Sequence, residues 1–267
     1  MDKDFINRLN TLGVPSTFVD MFWKQTQKSI LNAKHSKLTE AALIISDIHG
    51  NLPALNLALD FSKKNGVFKL VSLGDMVDYN QYNNEVLETI LEYKDGLVLI
   101  RGNHDSFFQD NNETFRTKIE QHKIDTKLVK KVKSLNAFEI LEVNGLNLLI
   151  CHSNPWGLDS YYIFPNDSLV LDYFLLNIPL DGFFYGHTHI ANYYSSKNKV
   201  ALNPGSLGQS RGKMEDLTFA WLLPAEEKVQ FYGITVDRKK STLILNEDPF
   251  LIREIPFDPK KEINYIY

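Results

Sequence analysis

The sequence has a single cysteine among its 267 residues. One thiol, Cys151, cannot form a disulfide within the chain, which excludes a disulfide-stabilised secreted scaffold and makes a reducing cytoplasm the expected compartment. No apolar run approaches the roughly 20 residues that a membrane-spanning helix needs. The charged start, MDKDF, has no apolar signal-peptide core behind it. We therefore expect a cytoplasmic protein that does not enter a membrane.

Neither sign of charge is in large excess. The chain has 29 Lys and Arg against 33 Asp and Glu, which gives a net charge of −4. This balance argues against a broad nucleic-acid-binding surface, and we do not expect a nucleic-acid partner. A hydrophobic content of 43% and a charged content of 23% are typical of a globular protein. The length suits one large α/β domain with a full core.

Short apolar runs alternate with helical segments in the first half of the chain. Residues 41–45, 70–73 and 97–100 are predicted strands, because each is a short apolar run bounded by polar residues. Helices are predicted to begin near Pro53 and to cover 84–93. Strands that alternate with helices imply parallel β-α-β units.

The second half of the chain is rich in predicted hairpins. Asn144-Gly145 is a strong two-residue hairpin signal between two apolar strands. These pairs predict a second sheet that packs against the first, with helices outside, as in a single α/β sandwich. The predicted strand pairs are 139–143 with 146–150, 191–195 with 200–202, and 219–223 with 229–234.

Three segments flank or interrupt this pattern. Residues 1–40 are predicted to form an N-terminal helical extension, with an amphipathic helix within 17–33. The main domain is predicted to cover 41–236. Within it, the lysine-rich segment 106–135 is either a helical cap over the site or a solvated helical pair. The C-terminal tail, 237–267, is expected to be partly irregular.

Five of the seven histidines lie in short motifs that follow the predicted strands. Histidine and carboxylate are ligands of borderline divalent metals. The carboxyl ends of strands meet at one edge of an α/β sheet, where such folds bind ligands. Each motif has a structural explanation when taken alone, but all five in order predict a metal site with two ions. The motifs are Asp47-Ile48-His49, Gly74-Asp75, Gly102-Asn103-His104-Asp105, Cys151-His152 and His187-Thr188-His189.

This ordered set resembles the motifs of calcineurin-like metallophosphoesterases, over about residues 41–223. Within that superfamily the chain looks most like the small bacterial and archaeal phosphodiesterases. The resemblance implies a four-layer α/β/β/α sandwich of two mixed β-sheets flanked by helices, with a dinuclear metal centre. It also implies that one ion is held by Asp47, His49, Asp75 and His189, and the other by Asp75, Asn103, His152 and His187.

The resemblance further implies a reaction and its acid. Two divalent ions clamp the phosphoryl oxygens and lower the pKa of a bridging water, and the hydroxide so formed attacks phosphorus. His104 would protonate the leaving oxygen or donate a hydrogen bond to the phosphoryl group, and Asp105 would orient the His104 ring. The mixed nitrogen and oxygen ligands suit manganese as the first expectation, with iron, zinc, cobalt or nickel as alternatives.

The chain departs from two well-known branches of the superfamily. Protein Ser/Thr phosphatases, and the bacterial diadenosine tetraphosphatases that resemble them, carry an arginine where this chain has Tyr79, and the Ser/Thr phosphatases also read GNHE where it reads GNHD. A bidentate phosphate-binding arginine is therefore missing from its usual place. We expect a small-molecule phosphoester or nucleotide substrate, and a phosphodiester more than a phosphomonoester. Candidate substrate contacts are Tyr79, Arg101 and Arg211, with Trp156, Tyr161 and Tyr162 as stacking candidates whose default role is packing.

The sequence also bears on two other functions, a protein-binding scaffold and a nuclease. A catalytically silent scaffold of the same fold binds protein partners, as the retromer small subunit of this superfamily does, but that scaffold lacks the catalytic histidine. The intact His104 argues against this alternative. A nuclease would need a basic groove, which the charge balance does not favour.

Overall fold

The structure, a computed structural model, describes residues 18–106, 124–157, 159, 161–212, 216–237, 242–246 and 254–266. The helices are α1 (Val19–Leu31), α2 (Leu52–Lys64), α3 (Asn83–Leu91), α4 (Asn103–Ser106), α5 (Thr126–Lys133) and α6 (Ser168–Asn177). The strands are β1 (Lys34–Leu38), β2 (Ala42–Ile45), β3 (Lys69–Ser72), β4 (Gly96–Leu99), β5 (Phe138–Val143), β6 (Leu146–Cys151), β7 (Gly182–Phe184), β8 (Asn192–Ser196), β9 (Lys199–Asn203), β10 (Leu217–Leu223), β11 (Lys228–Asp237), β12 (Thr242–Leu245), β13 (Glu254–Pro256) and β14 (Ile263–Ile266).

The strands form two mixed sheets. Sheet I has the order β12-β11-β10-β2-β3-β4, with β13 paired to β11, and sheet II has the order β1-β5-β6-β7-β9-β8-β14. In sheet I, β2, β3 and β4 are parallel neighbours. In sheet II, β6, β7 and β9 are parallel neighbours, while β5 and β6 form an antiparallel hairpin. The predicted parallel β-α-β units and the predicted second sheet are confirmed.

The two faces of sheet I bury different cores. Leu43 and Ile45 of β2 point into the cluster that α2, α3 and α5 share with this sheet. Ala42 and Ile44 point the other way, into the core between the two sheets. On the outer face of sheet II, α1 and α6 contribute a third cluster. The result is a four-layer α/β/β/α sandwich, and burial of each large apolar side chain stabilises it by about 1.5–3 kcal/mol.

Both termini of the described chain add strands to these sheets. β1 lies in the segment predicted to be a helical extension, and it pairs in parallel with β5. In the tail, expected to be partly irregular, β12 and β13 pair with β11, and β14 pairs with β8. The predicted N-terminal helix is present as α1, whose Val19 packs in the sheet II outer cluster.

Of the candidate cap, residue 106 at the end of α4 and residues 124–135 lie within the described residues. There, α5 inserts Leu128, Val129 and Val132 into the core shared by α2 and α3. This part of the segment therefore belongs to the outer helix layer. The predicted helix at 112–121 lies outside the described residues. None of the helices seen in the described part of the chain is long and apolar enough to cross a membrane.

Candidate metal centre

The loops after β2, β3 and β7 meet at one edge of the sandwich and are fastened to each other by backbone hydrogen bonds. The Asp47 N–H donates to the Gly74 carbonyl and the His49 N–H to the Asp75 carbonyl, both at 3.0 Å. From the opposite sheet, the His187 N–H donates to Asp47 Oδ2 at 2.9 Å. Because these loops follow the carboxyl ends of parallel strands, their side chains face one shared space.

The backbone at this edge is bent into the left-handed region at residues other than glycine. Such conformations cost about 1–3 kcal/mol each and persist only where the surrounding structure holds them. Other residues with positive φ, such as Asn144, lie in tight turns. The concentration of left-handed residues at the edge where the loops meet indicates that the chain bends there and directs side chains inward. The residues are Asp47 (φ 51°), His49 (47°), Asp75 (54°), Asp78 (80°), Tyr79 (58°), His187 (66°) and His189 (60°).

The first ligand group consists of Asp47, His49 and His189. His189 Nε2 lies 3.2 Å from Asp47 Oδ1 and 3.2 Å from His49 Nε2. Each imidazole donates its Nδ1 hydrogen to a backbone carbonyl, His49 to Val77 at 2.9 Å and His189 to Gln209 at 2.6 Å. With both Nδ1 atoms engaged in this way, the two Nε2 atoms face each other across the group. Such outer hydrogen bonds fix the tautomer of metal-ligating histidines.

The second ligand group contains Asp75, Asn103 and His152. His152 Nε2 lies 3.1 Å from Asp75 Oδ2 and 3.0 Å from Asn103 Oδ1. Its Nδ1 contacts the Leu73 carbonyl at 2.8 Å, so Nε2 is the nitrogen that faces the group. One carboxylate, one amide oxygen and one imidazole thus converge.

His187 joins this second group through its other nitrogen. Nε2 donates to the Asp159 carbonyl at 2.7 Å, which leaves Nδ1 to face the site. His187, Asp75 and His152 each offer a ligand atom within 4.8 Å of the others. The ring also stacks on Tyr162, with centroids 4.1 Å apart.

Asp75 lies between the two groups. Its Oδ2 is 3.1 Å from His152 Nε2 and 3.8 Å from His49 Nε2. Its Oδ1 accepts a hydrogen bond from the backbone N–H of His104 at 2.8 Å. One carboxylate oxygen therefore reaches both ligand groups, which is the position predicted for a bridging ligand.

The donors of the first group fit a divalent cation. Asp47 Oδ1 is buried and accepts no hydrogen bond of acceptable geometry from any described residue, although His189 Nε2 is close to it. Burial lowers the pKa of His49 to about 4, in spite of Asp75 and Asp47 nearby, so this ring is a neutral ligand. A cation between these atoms would satisfy both the orphaned oxygen and the facing nitrogens.

In the second group the neighbouring carboxylate favours the protonated form of His152. Burial alone would lower the pKa of His152, but the charge and hydrogen bond of Asp75 outweigh it and raise that pKa to about 10. Burial, together with the neighbouring His152, lowers the pKa of His187 to about 4. Once His152 has lost its proton, the second group offers carboxylate and amide oxygens and imidazole nitrogens, which are ligands that divalent transition metals accept.

His104 lies beside both groups and pairs with a carboxylate. Its Nδ1 is 2.8 Å from Asp78 Oδ2, and its Nε2 is 3.9 Å from Asp75 Oδ2. The ring is perpendicular to that of His49, with centroids 4.9 Å apart. This imidazole is thus oriented by Asp78, with Nε2 directed toward the ligand groups.

The prediction that Asp105 orients His104 is wrong. Asp105 is fully buried, and its two oxygens accept from the backbone N–H groups of Met76 and Gly102, both at 2.9 Å. Burial, followed by the charge of Asp75, raises the pKa of Asp105 to about 6. Asp105 therefore holds two loops together. The signal for the true partner was present in the sequence, as the second aspartate of the motif GDMVD.

The three candidate substrate contacts occupy different places. Tyr79 is 51% exposed, and its ring centroid lies 4.5 Å from that of His49. Arg211 is exposed, with its backbone N–H on the carbonyl of His189. Arg101 is partly buried, and its Nη1 donates to the Leu135 carbonyl. Tyr79 and Arg211 therefore stand at the site, whereas Arg101 lines a neighbouring cavity with His152 and also makes a structural contact.

The aromatic candidates divide in the same way. Trp156 is 3% exposed and Tyr161 is 1% exposed, and both pack against Phe174. Core packing, their default role, is confirmed. Tyr162 alone reaches the site, through its contact with His187.

Residues 41–226 match the family model described as the calcineurin-like phosphoesterase superfamily domain. The chain belongs to this superfamily. It is similar to the uncharacterized protein MJ0912 of Methanocaldococcus jannaschii, with 28% identity over 222 residues that cover 74% of this chain and 88% of that protein. Membership of a family of metal-dependent phosphoester hydrolases agrees with the clustered histidines and aspartates.

Solved structures share the fold. A metallophosphoesterase from Sphaerobacter thermophilus is similar with a TM-score of 0.60 and 20% identity, covering 76% of this chain and 91% of that one. The hypothetical protein PH1004 from Pyrococcus horikoshii is similar with a TM-score of 0.63 and 18% identity, covering 76% and 90%. These likenesses confirm the sandwich architecture.

Proposed function

We propose that this member of the calcineurin-like superfamily is a dinuclear-metal-dependent phosphoesterase, which hydrolyses a phosphodiester, or a phosphomonoester, of a small molecule or nucleotide. The observation that carries the proposal is the position of His104. This imidazole is paired with Asp78 and lies beside both ligand groups. A site that only held metal would not need a fifth histidine, oriented by a carboxylate, beside the four ligand candidates.

The residues of the site would have separate roles in the reaction. Bound divalent ions would supply Lewis acidity toward the phosphoryl oxygens and lower the pKa of an attacking water. Asp75, whose Oδ2 faces both groups, would set the spacing of the ions. His104 would deliver a proton from Nε2 to the leaving oxygen as the phosphorus–oxygen bond breaks. Asp78 would keep the Nδ1 hydrogen in place and stabilise the imidazolium.

A diester substrate is favoured because the bidentate phosphate-binding arginine of related phosphatases is missing from its usual place, although Arg211 lies at the site. Tyr79 stands where related phosphatases carry a phosphate-binding arginine, and Arg101 is engaged with the Leu135 carbonyl. A phosphodiester carries one negative charge, whereas a phosphomonoester carries about −1.5 to −2 near neutral pH and gains more from a bidentate arginine. Manganese is the metal to test first, before iron, zinc, cobalt and nickel.

The decisive experiment is hydrolysis of bis-p-nitrophenyl phosphate by the metal-loaded protein, with p-nitrophenyl phosphate as the monoester comparison. We expect His104→Ala to lower kcat by about 10²–10⁴-fold while the metal content stays unchanged. The exposed His35, outside the site, supplies the matched control His35→Ala. Metal binding without hydrolysis of any ester in a broad panel would contradict the proposal and favour a metal-binding scaffold.

A further inference from the structure

A cavity of about 370 Å³ is lined in part by Ile190, the residue that follows the candidate ligand His189. Its volume falls within the range of small-molecule sites. Four distant parts of the chain build it: the loop before α6, the residue after the HxH pair, the loop before β10 and the last strand. The residues that define this aromatic subsite are Phe164, Pro165, Asn166, Ile190, Arg211 and Ile266.

The aromatic subsite is continuous with two metal-ligand candidates. Ile190 directly follows His189, whose carbonyl accepts the backbone N–H of Arg211 at 3.2 Å. On the other side, His187 stacks on Tyr162 with centroids 4.1 Å apart and an interplanar angle of 23°. Tyr162 in turn stacks on Phe164 at 5.7 Å and 14°. Three nearly parallel rings therefore lead from the metal centre to the cavity.

The side chains that line the subsite can bind a flat aromatic ring. Phe164 is 39% exposed and Ile266 is 36% exposed, so both present apolar surface to the cavity. The exposed amide of Asn166 offers a donor and an acceptor to the edge of such a ring. Arg211, which is also exposed, adds a cation that can reach a phosphate or stack on a ring. Stacking, a polar edge contact and a cation together match a nucleotide better than an alkyl phosphoester.

We propose that the aromatic subsite binds the base of a nucleotide phosphoester, with Phe164 as the stacking platform and Arg211 as a contact to the phosphate. As a substrate assignment, this inference rests on the proposed function. The base would extend the stack of His187, Tyr162 and Phe164, and Ile266 would close the opposite wall. The C-terminal strand β14 thereby acquires a role in substrate selection.

Binding of the base is testable without metal or turnover. We expect saturation-transfer NMR to show transfer from the EDTA-treated protein to the base protons of adenosine, and none to ribose at the same concentration. Phe164→Ala, which removes the platform, and Ile266→Trp, which fills the cavity, should each reduce the transfer by about fivefold or more. Phe68→Ala removes an exposed phenylalanine elsewhere and should leave it unchanged. Equal transfer in wild type and Phe164→Ala would overturn the inference.

A kinetic comparison tests the same subsite in the metal-loaded protein. Thymidine 5′-(p-nitrophenyl phosphate) and methyl p-nitrophenyl phosphate share a leaving group and differ in the base. We expect kcat/KM to favour the thymidine ester by about fivefold or more, and Phe164→Ala to remove this preference. Arg211→Gln should lower kcat/KM for both esters, with partial recovery in Arg211→Lys.

The outcomes separate the two proposals. Hydrolysis of both esters at equal rates, with no effect of Phe164→Ala, would overturn the subsite and leave the phosphoesterase intact. Hydrolysis of neither ester, with base-proton transfer lost in Phe164→Ala, would contradict the phosphoesterase and support a nucleoside-binding site.

Discussion

The partner of the His104 imidazole decides how this site can move a proton. Asp78 Oδ2 lies 2.8 Å from Nδ1, so Asp78→Asn removes the charge that orients the ring and stabilises its cation. We expect kcat to fall about 10–100-fold with little change in KM, which is the usual cost of losing such a partner. Steady-state kinetics on bis-p-nitrophenyl phosphate, with metal content measured in parallel, check this. A raised KM at constant kcat would contradict the orienting role.

Substitution of the neighbouring Asp105 should affect the stability of the fold, whereas substitution of Asp78 affects kcat. Both of its oxygens accept backbone N–H groups in a buried position, and an asparagine can accept only one of them. Asp105→Asn is therefore expected to lower the free energy of unfolding by about 1–3 kcal/mol. Urea unfolding of the two variants separates them, because Asp78→Asn should be close to wild type in stability. If Asp105→Asn is as stable as wild type, its loop-holding role is wrong.

The contrast between these aspartates shows what the sequence can and cannot predict at this scale. The position of the ligand candidates follows from strand ends, because parallel strands bring Asp47, Asp75 and His152 to one edge. The orientation of His104 does not follow, since chain adjacency suggests Asp105. In α4 the Asp105 side chain turns back toward the β3 loop, and only the folded loops bring Asp78 to the ring.

At the scale of elements, the close approach of the β3 and β4 loops depends on Gly102. A Cβ at this position would overlap Asp75 Oδ1 and lie 2.6 Å from the Asp75 backbone nitrogen. Gly102→Ala should therefore push the two loops apart, destabilise the protein by about 1–3 kcal/mol and weaken metal binding. Calorimetric metal titration together with urea unfolding measures both effects.

Gly66 offers the matched control for that substitution. It has φ +79°, and nothing lies within 4 Å of an added Cβ. Gly66→Ala should cost about 1–2 kcal/mol of stability through its backbone conformation alone and leave metal affinity unchanged. Unchanged metal binding in Gly102→Ala would show that the loops can separate without disturbing Asp75.

The edges of the sheets explain where element prediction fails. The apolar strands β2 and β3 are buried, and their hydrophobic runs identify them. β1 reads KHSKL and β14 reads INYI, so neither has a long apolar run, and both lie at the ends of sheet II. Their pairing depends on partners far away in the sequence, which local patterns do not reveal.

At the scale of the whole molecule, metal binding should couple to folding. Asp47 Oδ1, which accepts no hydrogen bond of acceptable geometry from the described residues, and the facing nitrogens of His49 and His189 would gain a shared partner when a cation binds. At a metal concentration about 100 times the dissociation constant, the gain is about 2.7 kcal/mol, which corresponds to roughly 5–10 °C in Tm. Thermal scans with Mn²⁺ and with EDTA measure the shift. It should be much smaller in His189→Ala and unchanged in His35→Ala, and an equal shift in all three proteins would refute specific binding.

The same coupling predicts that metal binding releases a proton. Asp75 holds the pKa of His152 at about 10 in the metal-free protein against the opposing effect of burial, so near neutral pH this ring is charged. An ion can bind its Nε2 only after the proton leaves, and metal affinity should therefore rise with pH, up to about tenfold per unit. Calorimetry of Mn²⁺ binding in buffers of different ionisation enthalpy counts the protons, and we expect a release that is lost in His152→Ala.

The stability of the metal-free protein should depend on pH in the opposite direction to its metal affinity. The contribution of the charged His152–Asp75 pair is full below the unfolded pKa of about 6.5 and is lost as pH rises toward the folded value, so alkaline conditions weaken the metal-free protein while they favour the metal-bound one.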